Sequence, residues 1–192
     1  MRWWPAILGL LLGYAMIRLG LNVGSDAEEQ WHLATRWTAR AGFPFLIIAY
    51  SASSLVRLWP NGLTKALLRD RRWWGLGFAG AHSAHLCGIV NFFAVRGESI
   101  PPGVIAGGGA AYVLMYAMAA TSFPAAQRAL GKNWKRLHTV GIHYLWLIFA
   151  FAYVGKALAG EHPLFSIPYA LIALAALGLR IIVWRRARLA RA

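Results

Sequence analysis

Cysteine and acidic residues are scarce in this chain of 192 residues, which holds one cysteine, Cys87, and six aspartates and glutamates. A single cysteine excludes an intrachain disulfide and a zinc site built from several thiolates. Charged residues make up 14% of the sequence, whereas soluble domains have about a quarter. The composition therefore excludes a disordered chain and argues against a water-soluble globule.

Long apolar runs are what the sequence has instead. Six stretches reach or approach the roughly 20 residues that cross a bilayer. They cover 3–23, 41–59, 73–95, 103–123, 137–159 and 163–184, and polar or basic segments separate them, among them a loop expected over 24–40. The sequence predicts an all-α polytopic membrane protein, a six-transmembrane-helix bundle that forms a single integral membrane domain over 1–192. The first run is interrupted by Arg18 and lacks a small-residue cleavage site before Asp26, so we expect an uncleaved first span.

Lysine and arginine are divided unevenly between the two sets of span ends. One set, which includes both chain termini, carries 14 of the 20 basic residues, and the other set carries four. Five of the six acids lie on the sparse side. Because basic residues near span ends are retained in the cytoplasm, this pattern places both termini there. The formal charge of +14 is then a signal of topology and does not indicate a nucleic-acid partner.

Four of the six histidines lie in predicted spans, where aspartate and glutamate do not occur. His82 and His85 fall in the third span, and His138 and His143 fall at the start of the fifth span and within it. Ionisable groups in a bilayer are costly and usually functional, although a neutral histidine bonded to a neighbouring helix is the alternative. Zinc sites that catalyse hydrolysis usually use a carboxylate or a third close ligand, and proton relays usually combine histidine with aspartate or glutamate. Haem iron instead binds neutral imidazoles from two facing helices. The pattern therefore favours a haem site.

Helical spacing ranks these histidines but leaves alternatives open. Small residues at 77, 81, 84 and 88 form one stripe along the third span, where a flat macrocycle or another helix can approach, and His85 lies closer to it than His82. Depth counted from the basic ends pairs His143 with His82 instead. His138 and His143 are about 140° apart on an ideal helix, so one iron cannot take both.

Two segments resemble the ferric reductase-like transmembrane superfamily. The run from Arg71-Arg72-Trp73-Trp74-Gly75-Leu76-Gly77 to His85 is similar to its R-R-x-x-G-L…H segment. Gly131-Lys132-Asn133-Trp134-Lys135-Arg136-Leu137-His138 is similar to the W-x-x-L-H start of its fifth span. The resemblance covers about 41–159, and the members closest in size and layout are the haem-binding membrane subunits of bacterial periplasmic methionine sulfoxide reductase systems.

This resemblance implies a b-type haem between spans three and five, with His85 and His138 at family ligand positions. The family commonly has a further histidine 13 residues after His138, and Phe151 stands there. His143 is then an extra candidate that replaces it, or the chain holds fewer haems or none.

The resulting hypothesis is an oxidoreductase subunit that transfers electrons across the membrane to a periplasmic or exterior acceptor. The chain has no room for a flavin domain, so its donor is a separate cytoplasmic flavin reductase or the quinol pool, with FMN or quinone as further cofactors. The basic loops suit an anionic flavin, an acidic partner, haem propionates or anionic lipid. The alternative is a non-redox transporter or assembly protein whose histidines are packed or relay protons.

The unequal charge distribution makes the topology testable. Reporter fusions placed after Ala27 and after Ala192 should lie on opposite sides of the membrane, with the second on the cytoplasmic side. Alkaline phosphatase and green fluorescent protein fusions report the two sides, and activity of both fusions on one side would contradict the six-span topology.

Overall fold

The computed structural model describes residues 2–190, and these form helices without a strand. The elements are α1 (Trp4–Val23), α2 (Ala27–Leu58), α3 (Gly62–Arg69), α4 (Arg71–Arg96), α5 (Pro102–Val104), a π-helical turn (Ile105–Gly109), α6 (Ala110–Ala120), α7 (Pro124–Leu130), α8 (Lys132–Leu158) and α9 (Pro163–Leu189). Six spans are long and apolar enough to cross a membrane: α1, α2, α4, the continuous stretch Pro102–Ala120, α8 and α9. The prediction of an all-α six-helix membrane bundle is confirmed.

The loop predicted over 24–40 is wrong, because α2 begins at Ala27 and includes most of that segment. The side chain of Asp26 caps the helix by accepting a hydrogen bond from the backbone N–H of Glu29 at 2.9 Å. The carboxylate of Glu29 accepts hydrogen bonds from Ser25 in return. The polar side chains of this first half lower its hydropathy, so the hydropathy pattern did not indicate a helix there. Ala34 and Thr38 on one face of this half are nevertheless buried.

Glycines bring α1, α2 and α4 into backbone contact. A Cβ built on Gly9 of α1 would lie 2.1 Å from the carbonyl oxygen of Gly77 on α4. A Cβ on Gly20 would lie 2.4 Å from the backbone nitrogen of Ala34, and one on Gly88 would meet the Thr35 hydroxyl at 2.8 Å. The small-residue stripe of α4 is therefore occupied by α1 and α2, so it serves helix packing and leaves no space for a macrocycle.

Aromatic side chains join α8 and α9 to this three-helix layer. The ring of Phe43 on α2 packs against Phe149 and Tyr153 of α8 and Tyr169 of α9, with ring centroids 4.7 to 5.7 Å apart. Phe78 on α4 contacts Phe149 at 5.8 Å. Aromatic rings thus fill the space between α4 and α8, whereas α1, α2 and α4 meet through backbone contacts.

The bundle has two chemically different ends. We call the end that carries α3, α7, the first turns of α4 and α8 and the last turns of α9 the basic end, and the end with residues 24–26, 97–101 and 159–162 the distal end. The motif Gly75-x-Gly77-x-x-Gly80 has the spacing of a dinucleotide fingerprint, but it lies inside α4 with no strand before it in residues 2–190. It therefore does not form a nucleotide-binding turn.

Glycine packing predicts unequal costs for two neighbouring substitutions. Gly77→Ala should lower stability by about 1–3 kcal/mol, because the new methyl group would lie 2.4 Å from the carbonyl oxygen of Pro5 and 2.7 Å from the Phe45 ring. The matched control is Gly75→Ala on the same helix, where a Cβ has no neighbour within 4 Å. Thermal unfolding in detergent should show Gly77→Ala lower in Tm by several degrees, and equal Tm values for the two variants would contradict this packing.

Candidate functional site

The four histidines of the spans lie at three separate places in the bundle. His82 and His85 are neighbours on α4 toward the distal end, with ring centroids 4.7 Å apart. His143 on α8 faces α9, and His138 on α8 lies near the basic end beside Thr121 at the end of α6. No two of them face each other across the space between α4 and α8.

His85 has the hydrogen bonding of a metal-ligating histidine. Its Nδ1 lies 2.9 Å from the backbone carbonyl oxygen of Thr35 and 3.3 Å from the Thr38 hydroxyl. That hydroxyl donates to the carbonyl of Ala34 at 2.7 Å, so Nδ1 of His85 carries the proton and donates it. Nε2 keeps its lone pair. Metal-binding histidines usually donate their second ring N–H in this way, which fixes the tautomer and the ring orientation.

His82 is one of three polar side chains in residues 2–190 with a buried atom that has no hydrogen-bond partner, the others being Tyr50 and Ser51. The His82 side chain is 9% exposed, and its Nδ1 has no hydrogen-bond partner among residues 2–190. Phe78, Tyr112 and Phe149 surround the ring at 4.7, 5.6 and 5.1 Å. A Cβ on Gly42 would lie 3.0 Å from Nδ1, so glycine is needed there to admit the ring. An orphaned buried nitrogen in a native structure is a reason to expect a ligand or a functional role.

A cavity of about 250 Å³ opens beside His82 and His85 toward the distal end, and we call it the distal cavity. Three cationic side chains line it, Arg36 and Arg40 of α2 and Lys156 of α8, and no acidic residue in the part of the chain that the structure describes does so. Arg40 is held over the ring of Phe165 at 3.8 Å. Arg36 donates a hydrogen bond to Nε2 of His162, at the start of α9. The cavity is therefore a positively charged pocket with imidazoles at its base.

Both nitrogens of His143 are already used within the protein. Nδ1 donates to the carbonyl of Thr139 at 2.7 Å, and Nε2 accepts from the guanidinium of Arg180 at 3.0 Å. Arg180 is itself fixed by two hydrogen bonds to the carbonyl of Tyr50 and lies 4.0 Å from the centroid of its ring. His143 thus satisfies a partly buried arginine, and its Nε2 can bind iron only after losing that contact.

His138 borders a second cavity, of about 560 Å³, which we call the basic-end cavity. Its Nε2 lies 3.1 Å from the Thr121 hydroxyl, and its ring stacks on Trp134 at 4.2 Å. The hydroxyl donates to the carbonyl of Ala117, so His138 donates through Nε2 and keeps the Nδ1 lone pair. Five cationic side chains line this cavity: Arg69, Arg71, Arg72, Lys135 and Arg180. Its volume is within the range of about 300–1,000 Å³ typical of small-molecule sites.

The positions of the histidines along α8 show why none of them faces a histidine of α4. The ring of His82 contacts Phe149, which is six residues beyond His143, or about 9 Å along the helix. Phe151, the position of the expected family histidine, is 79% exposed on the outside of the bundle. Ala152, one residue further, lines the distal cavity instead.

The donor set near α4 suits an iron-bound cofactor. His85 supplies a neutral imidazole whose tautomer is fixed by a hydrogen bond, and His82 supplies a buried nitrogen without a hydrogen-bond partner. Cationic side chains line the distal cavity, where they can pair with carboxylates. No group of three or more histidine, cysteine or acidic side chains in residues 2–190 is arranged to hold a bare metal ion. Imidazole donors beside cationic side chains are groups that can hold a haem iron and the haem carboxylates.

Sequence reasoning missed several residues at these sites. Thr35, Arg36 and Arg40 lie in or at the edge of the predicted loop, and His162 lies between the fifth and sixth predicted spans. The spacing of Trp31, Ala34 and Thr38, three and four residues apart, was the available sequence signal for a helix. His32, also placed in a loop, lies in α2 and stacks on Phe92 at 5.3 Å.

The chain is similar to the protein-methionine-sulfoxide reductase heme-binding subunit MsrQ of Cronobacter sakazakii, with 28% identity over 158 residues. The matched region covers 74% of this chain and 76% of that relative. This similarity confirms the resemblance that the motifs of the third and fifth spans indicated. No family model and no solved structure matches the chain.

Charge around the distal cavity gives a testable titration. Arg36 lowers the pKa of the His162 imidazole below its ordinary value of 6.5, with smaller contributions from desolvation, Arg40 and Lys156. At a pH between the folded pKa of His162 and the unfolded value of about 6.5, the folded protein binds fewer protons than the unfolded chain. The free energy of unfolding is therefore highest, as far as His162 is concerned, above about pH 6.5, and it decreases as the pH falls through the folded pKa. NMR of labelled histidine should show His162 titrating below 6.5. Arg36→Gln should raise that pKa, whereas Arg57→Gln at the basic end should leave it unchanged. A pKa at or above 6.5 in the unmodified protein would contradict the contact.

Proposed function

We propose that this chain is a b-type haem membrane subunit that carries electrons from the cytoplasmic side of a bacterial inner membrane to an acceptor on the exterior side. The observation that carries the proposal is the hydrogen bond from His85 Nδ1–H to the carbonyl of Thr35, which leaves Nε2 as the free nitrogen of a side chain that lines a cavity. The similarity to a protein named as a heme-binding subunit supports it.

His85 is the proposed axial ligand at the distal site. Its imidazole is held by α2, so the ring keeps its orientation whether or not the iron is oxidised. Arg36, Arg40 and Lys156 neutralise carboxylates at the mouth of the distal cavity. A bound haem supplies an iron that takes up and releases single electrons. Phe78, Tyr112 and Phe149 exclude water from the region around His82.

The basic-end cavity is the proposed place where electrons enter. Its five cations attract an anionic donor, and the stacked pair of Trp134 and His138 offers a flat surface for an aromatic ring. These features suit FMN delivered by a cytoplasmic flavin reductase, or the head group of a quinol. His138 is the second ligand candidate, through Nδ1, for a haem in this cavity.

The cytoplasmic assignment of the basic end rests on the distribution of lysine and arginine. Arg57, α3, the first turns of α4 and α8 and the last turns of α9 all lie at this end. With this orientation the distal cavity opens to the periplasm or exterior, where the acceptor and a redox partner bind. The proposed route therefore runs from the basic-end cavity to the distal cavity.

His143 has a positioning role in this proposal. It accepts a hydrogen bond from Arg180, which in turn lines the basic-end cavity and bonds the carbonyl of Tyr50. A neutral imidazole in this place satisfies one guanidinium N–H without adding charge to the bilayer. Its removal should therefore change the electrostatics of the basic-end cavity and spare the haem ligand at the distal site.

A visible spectrum of the purified protein tests the proposed function. A Soret band that shifts on reduction with dithionite is expected. His85→Ala should lower the haem affinity of the distal site by more than about 100-fold, because even partners of a metal ligand are worth about 10–100-fold. His143→Ala is the matched control, since both of its nitrogens are engaged elsewhere, and it should retain the band.

Two outcomes would contradict the proposal. Protein that inserts correctly but shows no Soret band would favour the non-redox alternative, a transporter or assembly protein with packed histidines. Full haem occupancy in His85→Ala would remove His85 from the ligands, and His82→Ala would then be the variant to compare. Size-exclusion profiles of each variant separate loss of haem from loss of fold.

A further inference from the structure

We infer that a groove on the side of the bundle, at its basic end, binds the headgroup of an anionic phospholipid from the surrounding bilayer. The groove has a volume of about 740 Å³ and lies where the last two turns of α2 meet the second half of α9 and His143 of α8. We call it the lateral groove. It shares Ser53 and Arg180 with the basic-end cavity, and the inference goes beyond the proposed function because it does not depend on a haem.

The hydroxyl of Ser54 has no hydrogen-bond partner within residues 2–190, although this residue is only 3% exposed and lines the groove. A serine inside a helix commonly donates to the carbonyl four residues earlier, which here belongs to Tyr50. Arg180 already donates to that carbonyl through Nε at 3.3 Å and through Nη2 at 2.9 Å. The Ser54 hydroxyl is therefore left as a donor for a ligand in the groove.

Ser53 and Arg57 extend this set of donors along α2. The carbonyl four residues before Ser53 accepts a hydrogen bond from Nε of Arg71 at 2.6 Å, and the Ser53 hydroxyl also has no partner in the part of the chain described. Arg57 follows the two serines by four and three residues, so the three side chains share one face of the helix. Arg57 is exposed and forms no ion pair with a described residue.

Two arginines of α9 add positive charge from the other side of the groove. The guanidinium of Arg188 lies 4.1 Å from the centroid of the Trp184 ring, which limits its motion. The hydrogen bonds of Arg180 engage three of its five N–H groups and leave two for a ligand. No acidic side chain within residues 2–190 lines the groove. Hydroxyl and guanidinium donors without a competing carboxylate favour an oxyanion, and phosphate matches the planar guanidinium well.

The apolar part of the groove selects a lipid over a soluble phosphate. Leu177, Ile181 and Trp184 are spaced by four and three residues, so they form one stripe along α9. Ile181 and Trp184 are exposed on the surface of the bundle. The stripe begins next to Arg188 and continues for about 16 Å toward the middle of the bilayer. A ligand with a phosphate group and a long acyl chain covers both parts of the groove, whereas a soluble phosphate leaves the stripe uncovered.

The test uses the full-length protein in detergent, with bound lipid counted by native mass spectrometry. Phosphatidylglycerol should bind with saturation and at least about fivefold more tightly than phosphatidylcholine with the same acyl chains, because the choline group cancels the negative charge. Arg57→Gln and Ser54→Ala should each weaken phosphatidylglycerol binding by about fivefold. The matched controls are Arg128→Gln, an exposed arginine at the same end, and Ser51→Ala, whose hydroxyl is enclosed outside the groove, and both should bind as the unmodified protein does.

Three results would overturn the inference. Equal affinity for the two lipids, or an equal loss in Arg57→Gln and Arg128→Gln, would show a diffuse attraction of charge instead of a site. Inorganic phosphate that binds in an Arg57-dependent manner, while phosphatidylglycerol does not bind, would assign the groove to a soluble phosphate ligand. Ser54→Ala removes neither charge nor a large volume, so it decides the matter if Arg57→Gln fails to fold. A protein that shows its Soret band but no preference for phosphatidylglycerol overturns this inference and leaves the proposed function intact.

Discussion

The polar interior of this bundle depends on the backbone carbonyls of one long helix, α2. In a bilayer a polar side chain has no water to bond, so it must find a partner within the protein. A helical carbonyl has a second lone pair that its own helix does not use. The carbonyls of Thr35, Arg40, Ala49 and Tyr50 accept hydrogen bonds from His85, Tyr169, Arg71 and Arg180 respectively. One helix therefore orients the groups that line both cavities.

The strength of this arrangement comes from how closely α2 and α4 approach. Glycine at 88 lets the two backbones meet beside Thr35, and glycine at 42 admits the ring of His82. A larger residue at 88 would meet the backbone of Thr35 and move α4 away from the carbonyl that holds His85, and one at 42 would displace the His82 ring. On the other side of α4 the contact with α8 is made by rings, which can turn without breaking a helix. The bundle thus combines a rigid layer that carries the histidines with an adaptable aromatic boundary.

The sequence predicted the six spans and placed His85 correctly in the third, because hydropathy and helical period are local properties. It predicted neither the start of α2 nor the partners of His143. The first failed because polar residues such as Arg36 lower the hydropathy of a segment that is nonetheless helical and partly buried. The second failed because the Arg180–His143 bond joins residues 37 apart in the chain, and depth counting cannot give the rotation of α9 against α8. Inter-helix register is a tertiary property, and the positions of His138 and His162 depend on it as well.

One face of α8 connects the two cavities. His138, Ile142 and Leu145 line the basic-end cavity, and Phe149 and Ala152 continue the same face to the distal cavity. Fourteen residues bring the helix back to within about 40° of its starting direction, whereas 13 residues leave it about 140° away. This arithmetic explains why Phe151 lies outside the distal cavity and Ala152, although exposed, lines it. His138 and Ala152, at the two ends of this face, are about 21 Å apart along the helix, within a hydrocarbon core of about 30 Å, and the two linings come within three residues of each other at Leu145 and Ile148. One face of α8 therefore lines both cavities, and its apolar side chains form a continuous path from one cavity to the other.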